Sequence, residues 1–253
     1  MLQDTWTMAK RSLKHIVRSP DTIITVVLTP IALLLLFVYV FGGALGQQTG
    51  GVKYVSFLTP GIIIMTVISG IAYAAFRLSN DIQKGIINRF RTMPVTPSSI
   101  LGGQAASSTL SNLFSSMLVL LVAFAIGFRS HAGALDWLVF AGFTALFTLA
   151  TTWMAIFFGL AAKSAEGAGS FSYILMLLIF ISPSFVPTAS MTPALRAFAN
   201  NQPLTPIVET MRSLMINGTP GSKVWLALAW TVGILVVFYL ASLRLYRNRT
   251  IAA

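Results

Sequence analysis

Six long apolar runs constrain this chain of 253 residues more than any other feature, because all of its charged residues lie outside them. Each crossing of a lipid hydrocarbon core needs about 20 mostly apolar residues. The runs are Ile23–Phe41, Phe57–Phe76, Ala105–Phe128, Trp137–Ala162, Phe171–Val186 and Val224–Leu243. They predict an all-α integral membrane protein with six transmembrane helices. The fifth run is short and ends in Ser182-Pro183-Ser184, so we expect it to enter the membrane irregularly.

Composition excludes several other classes of protein. Only 9% of the residues are charged, against about 25% in soluble domains. The net charge of +11 could suggest nucleic-acid binding, but that requires cations clustered on one folded face, and here they stand in short groups between apolar runs. No nucleic-acid partner is therefore expected. The chain has no cysteine and only two histidines, His15 and His131, so neither disulfides nor a histidine metal site is expected.

The distribution of cations predicts the orientation. With six crossings and the N-terminus inside, 12 of the 17 lysines and arginines fall on the inner side, from Lys10 to Arg249. Cytoplasmic loops of membrane proteins carry such an excess. We therefore expect a multi-pass protein with both termini in the cytoplasm.

Residues 1–20 have the pattern of an amphipathic helix lying in the headgroup plane. Apolar residues beginning at Trp6 recur on one helical face, and Lys10, Arg11 and Lys14 lie around the rest of the helix. Such a helix places its aromatic side chain at the interface and its cations near anionic lipid. A simple orientation signal explains the same pattern equally well.

No catalytic or energy-coupling motif is present in the sequence. The nearest approach to a phosphate-binding loop is Gly159–Ser164, which lacks the glycine before Lys163. Ion-coupled carriers place ionisable groups at mid-membrane depth, whereas all six acidic residues here lie outside the apolar runs. The sequence predicts a protein that is not an enzyme, that contains no cofactor and that takes its driving force from elsewhere.

The third and fourth runs carry rows of small polar residues. These rows are Ser107, Ser111, Ser115 and the adjacent Asn112 in the third run, and Thr148 and Thr152 in the fourth. Small polar residues at this spacing let helices approach closely in lipid. They could also line a translocation path, but helix packing is the interpretation that the pattern favours.

The cytoplasmic segment 77–103 carries the most information. Ile82, Ile86, Ile87 and Phe90 recur on one helical face. An amphipathic helix between two spans suits docking into a partner's groove, and it equally suits a helix lying on the lipid surface. Periodicity alone leaves both interpretations open.

The residues of this segment resemble a known signature. Asp81, Gly85, Arg89, Phe90, Arg91 and Pro94 match in order the cytoplasmic signature of the type-2 permeases of ATP-binding-cassette exporters, and most closely that of the daunorubicin-resistance permeases. Three further stretches, 159–166, 185–188 and 202–212, agree with that group in sequence and in position. One departure is Ala165, where relatives often carry proline.

The resemblance implies one permease domain over 1–253, with an N-terminal interface helix, a cytoplasmic coupling helix within 77–103 and an extracellular helical loop over 187–223. Short extracellular helices are expected near Thr192–Phe198 and Thr205–Met215. It implies two copies of an ATP-binding-cassette subunit, which hold the ATP and magnesium, and a second permease subunit in a homodimer or heterodimer. Coupling to the cassette subunit would involve Asp81, Lys84, Gly85, Arg89, Phe90, Arg91 and Pro94, with Lys163 and Glu166 as a second contact.

The function implied is that of the membrane subunit of a pump in the bacterial inner membrane, which exports an amphipathic drug, antibiotic or lipid-like compound. Two alternatives remain at this stage. One is a polysaccharide or glycolipid exporter of the same superfamily, and the other is a channel or carrier that works without ATP.

Overall fold

The computed structural model describes residues 24–49, 51–84 and 97–251, and within these ranges every regular element is a helix. The first helical segment, α1, joins Ile24–Leu28, Thr29–Leu36, Phe37–Phe41, Gly42–Leu45 and Gly46–Gln48. The first and third of these pieces are π-helical. Pro30 follows the first π turn and has no N–H to give to the preceding turn, so a widened turn there is physically reasonable.

The remaining helices follow in chain order. They are α2 (Tyr54–Gln83), α3 (Pro97–Ala125), α4 (Ala134–Ala161), α5 (Ala165–Gly169), α6 (Phe171–Ile181), α7 (Pro193–Asn201), α8 (Leu204–Asn217) and α9 (Val224–Ile251). Helix α3 begins at Pro97. Proline suits the first position of a helix because its missing N–H has no intrahelical partner there.

Helix α2 forms the centre of the bundle. Of the 18 residues in its most apolar stretch, 89% are buried inside the protein. The corresponding share is 72% for α4 and only 11% for α9. It packs against α1, α3, α4, α5, α6 and α8. A helix that is apolar on all sides is stable only when it is surrounded, and the apolar faces that α3 and α9 leave exposed are suited to lipid. The arrangement is therefore one central helix with its neighbours around it.

Five helices in the described ranges are long and apolar enough to cross a membrane: Val26–Leu45, Tyr54–Gln83, Leu101–Ala125, Ala134–Ala161 and Val224–Asn248. These coincide with five of the six predicted runs. The other run contains α6, which has 11 residues and is therefore about 16 Å long. An integral membrane protein with several helical spans is confirmed, while the count of six crossings stays a prediction.

The segment 187–223 contains two short helices, as expected. Helix α7 covers Pro193–Asn201 and α8 covers Leu204–Asn217. Gly218 ends α8 in the left-handed conformation, with φ of 67°. The loop between α3 and α4 contacts this end of α8. In this contact, Ser130 Oγ donates to the carbonyl of Met215 at 2.6 Å. The two loops thus lie together at the end of the bundle where α2 begins, which we call the Tyr54 end; its opposite is the Gln83 end.

Candidate functional site: the two ends of helix α2

The Gln83 end of α2 carries the first two residues of the expected coupling set. Asp81 lies in the last turn of α2, and Lys84 is exposed in the turn that follows. Gly85, Arg89, Phe90, Arg91 and Pro94 lie outside the described residues. The same holds for Trp6, Lys10, Arg11 and Lys14 of the expected interface helix.

The structure brings the second expected contact, the Lys163–Glu166 turn, onto this same end of α2. Gln83 Nε2 donates to the carbonyl of Lys163 at 3.3 Å, and Ser79 Oγ donates to that of Ser164, also at 3.3 Å. Ser164 Oγ in turn accepts from the N–H of Gly167 and caps α5. Two blocks about 80 residues apart in sequence therefore form one surface, from which the side chains of Lys163 and Glu166 remain exposed.

Two glycines allow α2 to pack closely against its neighbours near this end. A Cβ added at Gly159 of α4 would lie 3.0 Å from the carbonyl oxygen of Ala75, and one at Gly169 would lie 3.3 Å from that of Ala72. Helices approach this closely in membranes where small residues line the contact. The last turns of α2 are therefore fixed against the backbones that run into and out of the Lys163–Glu166 turn.

The polar rows of α3 and α4 lie in helix contacts. Ser107, Asn112 and Ser115 are buried, Ser111 is partly buried, and Thr148 and Thr152 are fully buried. Most of these hydroxyls bond within their own helix: Ser111 donates to the carbonyl of Ser107 at 2.9 Å, and Thr152 to that of Thr148 at 2.7 Å. Such self-satisfied hydroxyls are compatible with apolar surroundings. A role in translocation stays a prediction.

Asn112 occupies the space that Gly70 of α2 leaves free. A Cβ at Gly70 would lie 1.6 Å from Asn112 Oδ1 and 2.6 Å from its Cγ. Within the described part of the chain, Oδ1 and the hydroxyl of Ser116, one turn further, are buried without a hydrogen-bond partner. The contact between α2 and α3 therefore depends on the absence of a side chain at position 70.

This contact gives a stability prediction. We expect Gly70→Ala to lower the free energy of unfolding by about 1–3 kcal/mol, as overpacking of a core does. Asn112→Ala should restore most of the loss in the double variant, because it vacates the overlapping volume. Thermal denaturation of the parent, both single variants and the double variant in one detergent measures the coupling. Additive effects of the two substitutions would contradict the proposed overlap.

The Tyr54 end of α2 contains an arrangement that the sequence did not predict. Helix α6 stops at Ile181, and the turn 182–185 that follows is buried. The last carbonyls of a helix have no intrahelical partner, and unpaired backbone groups are costly in an apolar environment. Here Gln202 Nε2 donates to the carbonyl of Leu178 at 2.8 Å, and Tyr54 Oη donates to that of Phe185 at 3.2 Å. Side chains distant in sequence thus satisfy the broken backbone.

Arg212 of α8 joins three elements at this point. Its guanidinium donates to the carbonyl of Phe57 from Nε at 3.1 Å and from Nη2 at 2.9 Å, and Nη2 also donates to the carbonyl of Pro183 at 2.5 Å. The guanidinium carbon lies 3.7 Å from the centroid of the Phe57 ring. We call this set of contacts the arginine junction. It connects α8 to the first turns of α2 and to the turn after α6.

Arg212 stays charged at neutral pH. Burial lowers its pKa to about 10, and the negative charge of Glu209 acts in the opposite direction. Glu209 itself forms an ion pair with Lys223 at 2.8 Å. The cation of the junction is therefore solvated by backbone carbonyls and an aromatic face.

A sequence signal for the junction did exist. Pro60 lies inside α2, and a proline in a helix removes one backbone donor and loosens the preceding turn. That turn includes Phe57, whose carbonyl receives two donors from Arg212. An interior proline in α2 and the single arginine of α8 are the two cues, although neither identifies its partner.

The fold and these two ends define a polytopic helical membrane protein with a central helix that connects the expected coupling surface to a buried turn. Comparison with known sequences identifies the family within this class. The sequence model of the ABC-2 type transporter family matches residues 3–216, so the chain belongs to the ABC-2 type transporter family.

Curated relatives extend the likeness over nearly the whole chain. The daunorubicin resistance ABC transporter permease protein DrrB1 of Streptomyces coeruleorubidus is 30% identical over 95% of this chain and 84% of its own length. The probable doxorubicin resistance ABC transporter permease protein DrrC of Mycobacterium tuberculosis is 25% identical over 92% of this chain and 84% of its own length. The inner membrane transport permease YadH of Escherichia coli K12 is 26% identical over 84% of this chain and 82% of its own length.

Proposed function

We propose that this chain is the membrane subunit of an ATP-driven export pump, which moves an amphipathic small molecule outward and is powered by a separate ATP-binding-cassette subunit. Two cassette subunits and a second permease subunit would complete the pump, and ATP and magnesium would be held by the cassette subunits. The compounds named for two of the relatives, daunorubicin and doxorubicin, support a drug-like or lipid-like cargo.

One observation carries this proposal: α2 runs without interruption from the buried turn to the coupling surface. Its 30 residues span about 45 Å, enough to cross the bilayer and extend beyond it on one side. At the Gln83 end it leads directly into the signature segment and contacts the Lys163–Glu166 turn. A push on the segment that follows Gln83 therefore acts on the most enclosed helix of the protein.

The orientation follows the same proposal. The Gln83 end faces the cytoplasm, where the cassette subunits bind, and the Tyr54 end faces outward. The short helix α6 then makes the fifth of six crossings together with the buried turn, and both termini are cytoplasmic in a bacterial inner membrane. Irregular backbone at membrane depth is tolerated where protein side chains satisfy it, as Gln202, Tyr54 and Arg212 do here.

Co-purification with a co-expressed ATP-binding subunit tests the function. We expect the intact chain to form a stable complex with ATPase activity, and a variant disrupted between Asp81 and Pro94 to insert into the membrane but lose the complex. A charge reversal at Arg129, which is exposed in the loop after α3, serves as a matched control and should retain the complex. Transport by this chain alone, without any complex, would instead favour a channel or carrier.

A further inference from the structure

We propose that Arg212 is a positioning residue that acts as a latch, holding the outward end of the transport path closed until the cassette subunits bind ATP. This inference rests on the proposed function. Arg212 is not among the residues expected to couple the chain to the cassette subunits. The proposal gives the arginine junction a role in the step at which cargo leaves.

The first argument is the place of the junction. Arg212 contacts the first turns of α2 and the turn after α6 through one guanidinium, and three separate elements therefore move apart only if its hydrogen bonds break. Beneath it, Ser182 and Ser184 are fully buried, with their hydroxyls 2.6 Å apart. These hydroxyls would become accessible from outside when the three elements separate.

The second argument is the chemistry of the contacts. The guanidinium is held by neutral carbonyls and a ring face, while the nearby carboxylate of Glu209 is paired with Lys223. Water can replace carbonyl acceptors once the site hydrates, because the protein–water exchange of hydrogen bonds is nearly balanced. An arginine locked to a buried carboxylate would not open so readily, since separation would leave two unpaired charges.

The third argument is the connection to the driving end. Pro60 lies one turn from Phe57 in α2, and an interior proline makes the preceding turn easier to bend. The rest of α2 continues to the coupling surface, where Gly159 and Gly169 hold it between α4 and the α5 segment. Movement of α2 at the Gln83 end would therefore reach the Phe57 carbonyl and strain the junction.

The absence of native cysteines allows a direct test. Ser184→Cys places one thiol beneath the latch in the complete complex, and a membrane-impermeant maleimide added from outside reports its accessibility. In the parent we expect slow labelling without nucleotide and fast labelling when the complex is trapped with ATP, magnesium and vanadate. In Arg212→Gln we expect fast labelling without nucleotide, at least about tenfold faster than in the parent, because the variant loses charge-assisted hydrogen bonds that each shift a two-state equilibrium by about a factor of ten or more. Arg212→Lys should give an intermediate rate.

Two control variants separate a latch from a merely structural contact. Arg129→Gln removes an exposed cation from the loop after α3, at the same end of the bundle, without altering a residue of the junction, so it should label like the parent. Gln202→Ala removes another side-chain donor from a carbonyl near the end of α6, and it should not abolish the nucleotide dependence. Equal labelling of Gln202→Ala and Arg212→Gln would overturn the latch, as would parent-like labelling of Arg212→Gln. If Arg212→Gln fails to fold, the rate of Arg212→Lys decides.

The outcomes also distinguish the latch from the function on which it rests. ATP-driven transport in a parent whose Cys reporter is never labelled, with or without nucleotide, would overturn the latch alone. Absence of both ATP-driven transport and nucleotide-dependent labelling would overturn the proposed function.

Discussion

Replacement of Gly61 by valine is expected to cause the largest loss of stability of any single substitution considered for this protein. A Cβ at position 61 would lie 2.7 Å from Ser184 Cβ and 3.2 Å from both the Cα and the carbonyl oxygen of Ser184. These atoms belong to or adjoin the backbone of a fully buried turn, so no flexible side chain can move aside. We expect a loss of about 3 kcal/mol, the upper part of the usual range for overpacking.

Thermal denaturation of the purified chain in detergent measures this loss. Gly142→Ala is the matched control, because it lies in α4 with no atom within 4 Å of the added Cβ. Its stability should stay the same or rise slightly, since alanine favours a helix over glycine. A melting temperature of Gly61→Val equal to that of the parent would show that the turn after α6 does not pack against α2 as described.

The second large effect is expected on transport. Arg89→Glu and Gly85→Pro should leave membrane insertion intact but uncouple ATP hydrolysis from export, because both positions belong to the proposed coupling helix. Charge reversal opposes an interface built for a cation, and proline interrupts helical hydrogen bonding. ATPase and export rates of proteoliposomes that contain both subunits give the coupling ratio, whether the variant retains the complex or loses it.

The charge reversal Arg129→Glu controls for a general effect of changed net charge. Arg129 lies in the loop at the Tyr54 end, remote from the docking segment along α2. It should transport at the parent rate. Normal coupled transport in both Arg89→Glu and Gly85→Pro would remove the role given to the segment from Asp81 to Pro94.

Sequence alone predicted most of the helical framework. Helices such as the one at Trp137–Ala162 are predictable from local sequence, because about 20 apolar residues without charge are stable only in lipid or in a large core. The structure confirms helices long enough to cross a membrane at five of the six runs, with α4 ending within one residue of its predicted end at Ala162. It also confirms helices near Thr192–Phe198 and Thr205–Met215. The coupling helix and the interface helix stay predictions, because most of their residues lie outside the described ranges.

The contacts between distant residues were beyond a reading of periodicity. The charge distribution places Arg212 in an outer loop and predicts no contact for it, whereas its side chain is partly buried against the carbonyls of Phe57 and Pro183. Nothing in the spacing of residues specifies which carbonyl an arginine reaches 155 positions away. Similarly, Gly70 gave no sign that Asn112 would occupy its missing side-chain volume. The positions of the helices can be predicted from local hydropathy, whereas the contacts of Arg212 and Asn112 depend on tertiary packing.

In the proposed topology with six crossings, the shortness of the fifth makes the protein sensitive to the thickness of its membrane. The apolar helical stretch Ala165–Ile181 that ends with α6 is about 25 Å long, shorter than a hydrocarbon layer of about 30 Å, and this topology leaves a hydrophobic mismatch beside the exposed residues Tyr173, Ile174, Leu177 and Phe180. A thicker bilayer would increase this mismatch, and a thinner one would relieve it. Acyl-chain length should therefore act first on α6 and its turn, ahead of the longer helices that can tilt.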